Sequence, residues 1–417
     1  MSDYILNIGK RAREASKTVR MLKTDKKNKV LTDAAAEIRA NSENILKANE
    51  EDLKNAKLNG MSDALLDRLK INLKRIGDMA DGLITVAGLA DPVGEVLSMT
   101  LRPNGLQIGK KRVPLGIIAM IYESRPNVTV DAFGLCFKSG NVCILRGGSD
   151  AINTNKVLSD ILRSVLKNNS VPEDACIFID QTSREYVDEL LTLNDYIDVI
   201  IPRGGAGLIK NVVQKATVPV IQTGVGNCHI YVDKLIDENM ALSIIENAKT
   251  QRYGTCNTCE SLVVHSEVAE SIIPKIYDVL TVKHGVEIRG DEIARRIVPQ
   301  ITPATEEDYY TEYLDKIVSL KVVEHIPEAI DFINIHSTGH SEAIITKNYN
   351  HAMRFLNEID SAAVYVNAST RFTDGAEFGY GAEIGISTQK LHARGPLGLN
   401  ELTTIKYIIF GTGQIRE

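Results

Sequence analysis

The chain has 417 residues, of which 44% are hydrophobic and 24% are charged, and its formal net charge is −6. This length exceeds one ordinary domain of roughly 100–200 residues and predicts two lobes. Basic and acidic residues alternate without forming a cationic stripe, which argues against nucleic acid as a partner, and no run of about 18 apolar residues exists to span a membrane.

The beginning of the chain does not look like a secretory signal. Lys10, Arg11 and Arg13 arrive before an apolar core could form, so we expect the protein to stay in the cytoplasm. Its six cysteines sit mostly inside apolar runs of a large protein. This pattern favours buried, reduced thiols over a disulfide framework, although one thiol could be reactive.

The first 90 residues or so have the apolar spacing of helices. Leu31, Ala34, Ala35 and Ile38 recur at three-to-four spacing on one helical face. Few Gly or Pro residues interrupt this region. We therefore predict a largely helical N-terminal part.

From Leu115 onward, short apolar runs alternate with helical stretches, which predicts parallel strands with crossover helices. The runs are LGIIAMI, VCILR, ACIFID, IDVII and VPVIQ. The rhythm repeats after Asn227 in a second α/β lobe, with HIYVD, SLVVH, KIVSLKVV, EAIIT and AAVYV. Two extended segments fall outside it, near residues 99–114 and in ELTTIKYIIF. They could pair, either as an edge hairpin or as an oligomerisation arm.

Cys256 is the first candidate for chemistry. It follows Gly254 and Thr255 in a turn just ahead of the strand SLVVH, at the edge of a possible cleft. The thiolate is the reactive form of cysteine, and a nearby cation such as Arg252 would favour it. By spacing alone, an ordinary loop cysteine remains the alternative.

Cys256 and Cys259 also form a C-x-x-C pair, which raises a zinc site or a redox dithiol. A zinc site would need two further ligands, but the sequence has no second pair and its eight histidines are scattered singly. We expect no metal site, and a thioredoxin-like dithiol would need a smaller βαβ context near the motif.

Six segments together resemble one protein family along nearly the whole chain. They are VPLGIIAMIYESRPNVTVDAFGLCFKSGN (113–141), ILRGGSDA (144–151), IIPRGGAGLI (200–209), TCNT (255–258), STGHSEAIIT (337–346) and RFTDGAEFGYGAEIGISTQKLHARGPLGLNELTT (371–404). They resemble the aldehyde dehydrogenase superfamily and, within it, the branch that reduces glutamyl phosphate. The last segment and YESRP carry the resemblance to that branch.

The resemblance implies an α/β, aldehyde-dehydrogenase-like fold with two doubly wound α/β lobes and a small oligomerisation arm. Residues 1–226 would form an NADP-binding domain, interrupted by arm strands near 99–114. Residues 227–394 would form the catalytic domain with Cys256, and residues 395–417 a C-terminal oligomerisation strand.

The resemblance also assigns cofactor-binding positions. The superfamily lysine that reaches the adenosine ribose is replaced by Arg146, and a following acidic residue by Ser149. Because a guanidinium binds phosphate and a carboxylate would repel it, this pair favours NADP(H) over NAD. Glu312 would hold the nicotinamide ribose. The Gly-rich turn could offer backbone N–H groups to the pyrophosphate through Gly204, Gly205 and Gly207.

Two departures from the superfamily concern the chemistry. Hydrolytic relatives use a glutamate base where this chain has QTGVGNCH (222–229), which contains no carboxylate. Water is therefore not expected to accept the acyl group. The second oxyanion donor, beside the Cys256 amide, is either Ser124 or the displaced Asn127. Cationic candidates for the substrate's carboxylate and phosphate are Arg125 and Arg252.

The expected function is NADPH-dependent reduction of L-glutamate 5-phosphate to L-glutamate 5-semialdehyde and phosphate through a Cys256 thioester, the second step of proline biosynthesis. The alternatives are a hydrolytic NAD(P)-dependent aldehyde dehydrogenase and a non-catalytic binding protein of the same fold. The expected partners are the small-molecule substrate, further copies of the chain in a homo-oligomer, and the glutamate 5-kinase that would supply the substrate.

Overall fold

The computed structural model describes residues 1–416, which form two compact units. Unit 1 comprises Met1–Thr223, Gly379–Gly385 and the described residues from Leu397 onward, and unit 2 comprises Gly224–Phe378 and Ile386–Pro396. Within residues 1–416, no helix combines the length and the apolar character that a membrane span requires.

The α-helices are α1 (Asp3–Val19), α2 (Thr24–Ala40), α3 (Ser42–Leu58), α4 (Asp63–Leu69), α5 (Leu73–Gly88), α6 (Asn127–Lys138), α7 (Ile152–Asn168), α8 (Arg184–Leu190), α9 (Ala206–Lys215), α10 (Glu238–Thr250), α11 (Ser266–Tyr277), α12 (Glu292–Ile297), α13 (Glu306–Tyr310), α14 (Ile326–His336) and α15 (Tyr349–Glu358).

The strands are β1 (Val96–Leu101), β2 (Gln107–Pro114), β3 (Ile117–Tyr122), β4 (Val142–Arg146), β5 (Cys176–Phe178), β6 (Val199–Arg203), β7 (Cys228–Val232), β8 (Cys259–His265), β9 (Glu287–Gly290), β10 (Thr302–Pro303), β11 (Ile317–Val323), β12 (Ser341–Ile345), β13 (Ala363–Val366), β14 (Ile386–Ser387), β15 (Gly395–Pro396) and β16 (Thr403–Phe410).

The helical N-terminal part of unit 1 is confirmed by α1 to α5. In α2, the predicted apolar stripe of Leu31, Ala34, Ala35 and Ile38 is buried. The three-to-four spacing brings these side chains to one face, and burial of that face supplies most of the helix's stability. Helix α2 makes its main contacts with α5 and α7.

The central sheet of unit 1 is parallel and has the strand order β5-β4-β3-β6. From β3 the chain moves outward to β4 and β5, and it then returns to the other side of β3 to form β6. This reversal of direction creates a switch point between β3 and β6. In open parallel sheets of this kind, ligands bind outside the carboxyl ends of the strands at such a point.

The prediction of a strand at VPVIQ was wrong. This segment makes only an isolated bridge between Val220 and Ile200. Pro219 has no backbone N–H to donate to a ladder, although its carbonyl accepts from the amide of Ile200 at 2.8 Å. The segment therefore runs beside β6 without extending the sheet.

The two extended segments predicted outside the α/β rhythm do pair with each other. Strands β1, β2 and β16 form an antiparallel three-stranded sheet. Strand β16 pairs with β2 along its whole length, from Thr403 opposite Pro114 to Phe410 opposite Gln107. Because of this pairing β16 belongs to unit 1, whereas β15 belongs to unit 2.

The sheet of unit 2 has seven parallel strands in the order β10-β9-β11-β8-β7-β12-β13. Five of them, β7, β8, β11, β12 and β13, are the strands predicted for the second lobe. Strands β9 and β10 were not predicted, because runs of four and two residues leave no alternation to detect. Strand β8 lies in the middle of the sheet and is buried along its length.

Candidate active site

Cys256 lies in the turn between α10 and β8. It is partly exposed, whereas the other five cysteines are buried. Two threonine hydroxyls shape the turn by donating to the carbonyl of Arg252, that of Thr258 at 2.7 Å and that of Thr255 at 3.3 Å. The amide of Thr258 donates to the carbonyl of Thr255 at 3.1 Å. The turn therefore holds the backbone of the Cys256 segment in a defined conformation.

The loop 222–229 comes into backbone contact with this turn at Gly226. A Cβ atom added to Gly226 would lie 1.4 Å from the carbonyl oxygen of Cys256, so only glycine fits. The amide of Gly226 donates to Oε1 of Glu312 at 2.7 Å. The loop has no carboxylate of its own, but Glu312 thus supplies one to it.

A second thiol lies behind the Cys256 backbone. The buried Cys228 donates its S–H to the carbonyl of Cys256 at 3.2 Å and lies 3.8 Å from Nδ1 of His340. Burial, reinforced by the nearby Glu342, raises the pKa of Cys228 well above its usual value. This thiol therefore stays protonated and acts as a hydrogen-bond donor beneath the turn.

Cys259, the other member of the C-x-x-C pair, begins β8 and is fully buried. Burial raises the pKa of its thiol to about 12, and the S–H donates to the carbonyl of Ser261 at 3.5 Å. Cys259 is thus poorly suited to thiolate chemistry. Among the described residues, no group of three or more His, Cys, Asp or Glu side chains is arranged to hold a metal ion.

Two arginines accompany the Cys256 turn. The guanidinium of Arg371 donates through Nη1 to the hydroxyl of Thr255 and through Nε to Oε1 of Gln251, both at 2.8 Å. Burial lowers the pKa of Arg371, Cys256 opposes this shift, and the positive charge of Arg252 adds to it. Arg252, the cation expected from the sequence, is exposed.

In unit 1, a cavity of about 770 Å³ opens at the carboxyl ends of the parallel strands. It brings together four of the residues expected to bind the cofactor or the oxyanion with two that were not foreseen. The lining includes Ser124, Arg146, Ser149 and Gly207, and the unforeseen pair Thr182 and Arg184.

Arg146 ends β4, and its side chain is 8% exposed. Its guanidinium donates to the carbonyl of Gly147 and, at 2.9 Å, to that of Thr182, while Nε has no partner. Burial lowers the pKa of Arg146, and nearby Arg184 lowers it further. Because Arg146 forms no ion pair within residues 1–416, its charge is available to an anionic ligand.

The Gly-rich turn precedes α9, which begins without a side-chain cap. The amide of Gly205 donates to Oε2 of Glu123 at 3.1 Å, so a carboxylate of the chain itself lies at this helix start. A Cβ atom on Gly204 would lie 2.5 Å from the same oxygen. A Cβ atom on Gly207 would meet nothing within 4 Å. The three glycines therefore differ: two lie against Glu123 and one faces open space.

The two oxyanion candidates both have partners within unit 1. Ser124 has a φ of 44°, a left-handed conformation that is strained for serine, and its hydroxyl donates to Asp150. Asn127 begins α6, and its side-chain amide donates to Asp131 at 2.9 Å. Arg125 lies between them and is half-buried.

Sequence reasoning missed several residues of these two regions, chiefly Glu123, Arg184, Gly226 and Arg371. Arg371 begins the segment 371–404, which carried the resemblance, but it is 116 residues from Thr255 in the chain. No periodicity could link residues so far apart. Glu123 lies in YESRP, which also carried the resemblance. Its contact with the Gly-rich turn spans 82 residues of chain, so the sequence pattern did not indicate it.

Comparisons with known proteins agree with this architecture. The family model described as "Aldehyde dehydrogenase family" matches residues 3–307 and 307–408. A gamma-glutamyl phosphate reductase of Lachnospira eligens is 60% identical over 98% of this chain and 99% of its own length. Its counterpart in Caldanaerobacter subterraneus is 58% identical, with 98% of each chain covered.

A solved structure gives the same result. The crystal structure of gamma-glutamyl phosphate reductase from Thermotoga maritima is 52% identical, has a TM-score of 0.97 and covers 100% of both chains. Family, sequence and fold thus agree over nearly the full length. The chain belongs to the aldehyde dehydrogenase family and, within it, to the gamma-glutamyl phosphate reductases.

Proposed function

We propose that this chain reduces L-glutamate 5-phosphate to L-glutamate 5-semialdehyde and phosphate, in proline biosynthesis, through a thioester on Cys256. The observation that carries the proposal is the partly exposed Cys256, held between the Gly226 loop and the guanidinium of Arg371. A cation beside a cysteine favours the thiolate, which is the nucleophilic form.

In the first step, the Cys256 thiolate attacks the γ-carbonyl carbon. A sulfur–carbon bond forms, and the bond from that carbon to the phosphate oxygen breaks and releases phosphate. The Cys256 amide donates to the oxyanion of the tetrahedral intermediate. Loss of one such donor typically costs about two to three orders of magnitude in rate. Ser124 and Asn127 are the candidates for a second donor.

The family acts on small-molecule substrates with a nicotinamide cofactor, which supplies the hydride when it is bound. The unit 1 cavity fits such a cofactor at two points: the buried Nε of Arg146 lacks a partner, and Gly207 in the first turn of α9 faces open space. The amide of Gly205 already donates to Glu123, so a pyrophosphate would meet the amides that follow it in the turn. Arg146 and Ser149 would hold the adenosine end, the turn through Gly207 the pyrophosphate, and Glu312 the nicotinamide ribose.

We propose that the cofactor is NADP(H). The guanidinium of Arg146 has only neutral carbonyl partners, and Arg184 adds a second cation to the same cavity. Ser149 carries no charge that would repel a ribose phosphate. Arg146 and Arg184 form no ion pair within residues 1–416, and Asp150, which lines the same cavity, accepts the hydroxyl of Ser124. The two guanidinium groups therefore favour the phosphorylated cofactor.

The alternative functions are not favoured. A hydrolytic dehydrogenase needs a base free to activate water near Cys256. Two carboxylates that contact the loop 222–229 both accept backbone amides: Oε1 of Glu312 accepts that of Gly226, and Oε2 of Glu342 accepts that of His229. A non-catalytic protein would have no need for a partly exposed cysteine beside two arginines.

The test runs the reaction in reverse, with pyrroline-5-carboxylate as the source of the semialdehyde and NADP. NADPH formation is followed by absorbance with and without inorganic phosphate. We expect phosphate-dependent NADPH formation that Cys256→Ala abolishes and Cys259→Ala retains. NADPH formation without phosphate would indicate a hydrolytic enzyme. Equal loss in both variants would favour a dithiol.

We also propose that the chain forms a homo-oligomer through the sheet β1-β2-β16. Large apolar side chains on its edge strands are exposed, with Leu101 at 68%, Tyr407 at 61% and Ile409 at 59%. Edge strands with exposed apolar groups are sites for pairing with another chain. We expect light scattering to give a mass above that of one chain, and Ile409→Glu to lower it.

Two further proposals concern the cellular context. None of the six cysteines, all of which lie within residues 1–416, forms a disulfide, which supports a cytoplasmic location. An acyl phosphate hydrolyses readily, so association with glutamate 5-kinase would limit its loss. Cell fractionation tests the location. Co-purification of the two enzymes, and a coupled rate that resists dilution, test the association.

A further inference from the structure

The residues on both sides of Cys256 are hydrogen-bonded to Arg371, one through its guanidinium and one through its backbone. Its Nη1 donates to the hydroxyl of Thr255, the preceding residue, at 2.8 Å. The side-chain amide of Asn257, the following residue, donates to the carbonyl of Arg371 at 3.3 Å and to that of Thr373 at 2.9 Å. These bonds fix Arg371 beside the turn and not merely near it.

Within residues 1–416 the guanidinium of Arg371 contacts no carboxylate, and Asp374 favours its charged form only from a distance. The hydrogen-bond acceptors of the guanidinium are the neutral oxygens of Thr255 and Gln251, and within residues 1–416 it forms no ion pair. Asp374 is the acidic residue closest in sequence, but its Oδ1 accepts the amides of Ala376 at 2.9 Å and Glu377 at 3.4 Å. The Nη2 group makes no hydrogen bond in the described part of the chain.

Arg371 is half-buried and its Nη2 is not enclosed by the protein, so this donor is accessible to an anionic partner. Under the proposed function, the reaction brings an anion to Cys256, because phosphate departs from the carbon that Cys256 attacks. A guanidinium binds phosphate through parallel N–H donors, and Nη2 offers one of them. Arg252 adds a second positive charge close to the first.

We propose that Arg371 holds the phosphate group of the acyl phosphate beside Cys256, both as substrate and as leaving group. The proposal rests on the proposed function and adds a substrate-binding residue to it. Arg371 thereby selects acyl phosphates over uncharged acyl donors, because its positive charge stabilises the doubly negative phosphate group beside Cys256.

The experiment separates this role from a purely structural one in two ways. First, Cys256 is alkylated with anionic iodoacetate and with neutral iodoacetamide, and the ratio of the two rates reports the local positive charge without any turnover. Second, the reverse reaction gives KM for phosphate and kcat separately. The variants are Arg371→Met, Arg371→Lys, and Arg354→Met as a control, since Arg354 is paired with Glu358 on the exposed face of α15.

In Arg371→Met we expect the iodoacetate-to-iodoacetamide ratio to fall about tenfold and KM for phosphate to rise at least about tenfold, with a smaller change in kcat. Arg371→Lys keeps the positive charge but loses the parallel N–H donors of the guanidinium. We therefore expect its iodoacetate-to-iodoacetamide ratio to stay within about threefold of wild type, while KM for phosphate still rises. Arg354→Met should match wild type in both measurements.

Two results would overturn the proposal. One is a ratio and a phosphate KM in Arg371→Met within about twofold of wild type. The other is an equal slowing of both reagents, with lower kcat and unchanged phosphate KM, which would show that Arg371 only shapes the turn. If the wild-type enzyme forms no NADPH with phosphate, the proposed function fails. The alkylation ratio then still decides whether Arg371 forms an anion site at Cys256.

Discussion

Replacement of Gly226 by alanine should disable the Cys256 turn while leaving most of the fold intact. The added Cβ would lie 1.4 Å from the Cys256 carbonyl oxygen, 2.4 Å from its carbon and 2.9 Å from Cα. All three are backbone atoms, so no side-chain rotation relieves the clash. An ordinary contact begins at 3.4 Å, so the two backbones must separate by about 2 Å (3.4 − 1.4).

Misplacement of reacting groups by about 1 Å costs roughly two orders of magnitude in rate, so we expect Gly226→Ala to lower kcat at least about 100-fold. Overpacking of this kind typically costs about 1–3 kcal/mol of stability. The matched control is Gly88→Ala at the end of α5, where a Cβ meets nothing within 4 Å. Steady-state rates and thermal unfolding check both variants. Turnover of Gly226→Ala within about threefold of wild type would refute the close-contact argument.

Three other substitutions test separate features. Burial raises the pKa of Asp131 to about 6, so its carboxyl favours folding below the unfolded pKa and opposes it as pH rises through 6. In urea unfolding, Asp131→Asn should therefore gain about 2–3 kcal/mol at pH 7.5 and well under about 1 kcal/mol at pH 4. Arg146→Met should raise KM for NADPH about tenfold and leave KM for NADH nearly unchanged, and equal effects on both cofactors would argue against a phosphate contact. Glu312→Gln keeps an acceptor for the Gly226 amide. We expect higher KM for the cofactor and unchanged dependence on phosphate in steady-state assays.

The parts of the fold that the sequence predicts are those with a regular physical signature. Buried parallel strands such as β3 and β8 appear as continuous apolar runs, and the stripe on α2 repeats at the helical period. The segment 218–222 has the same apolar composition as these strands. A proline within it removes an amide donor, which composition alone does not register.

The candidate site was predicted less completely, because its parts meet through tertiary contacts. Cys256 and Arg146 follow from local context and resemblance, since Arg146 ends β4 and Cys256 lies in the turn before β8. Gly226 matters through a backbone approach between two loops, and Arg371 through a bond that spans 116 residues of chain. Such contacts depend on sheet order, which the sequence pattern did not specify.

The course of the chain through unit 1 has a consequence for how the protein is made. Strand β16 completes the sheet with β2, and the side-chain amide of Asn141 donates to the carbonyl of Leu402 across 261 residues. All of unit 2 is synthesised between the two parts of this pairing. During synthesis on the ribosome, β2 therefore has one unpaired edge until β16 has emerged. The pairing of β16 with β2 is therefore a late event of high contact order, and we expect a truncation that removes β16 to leave one edge of β2 unpaired in unit 1.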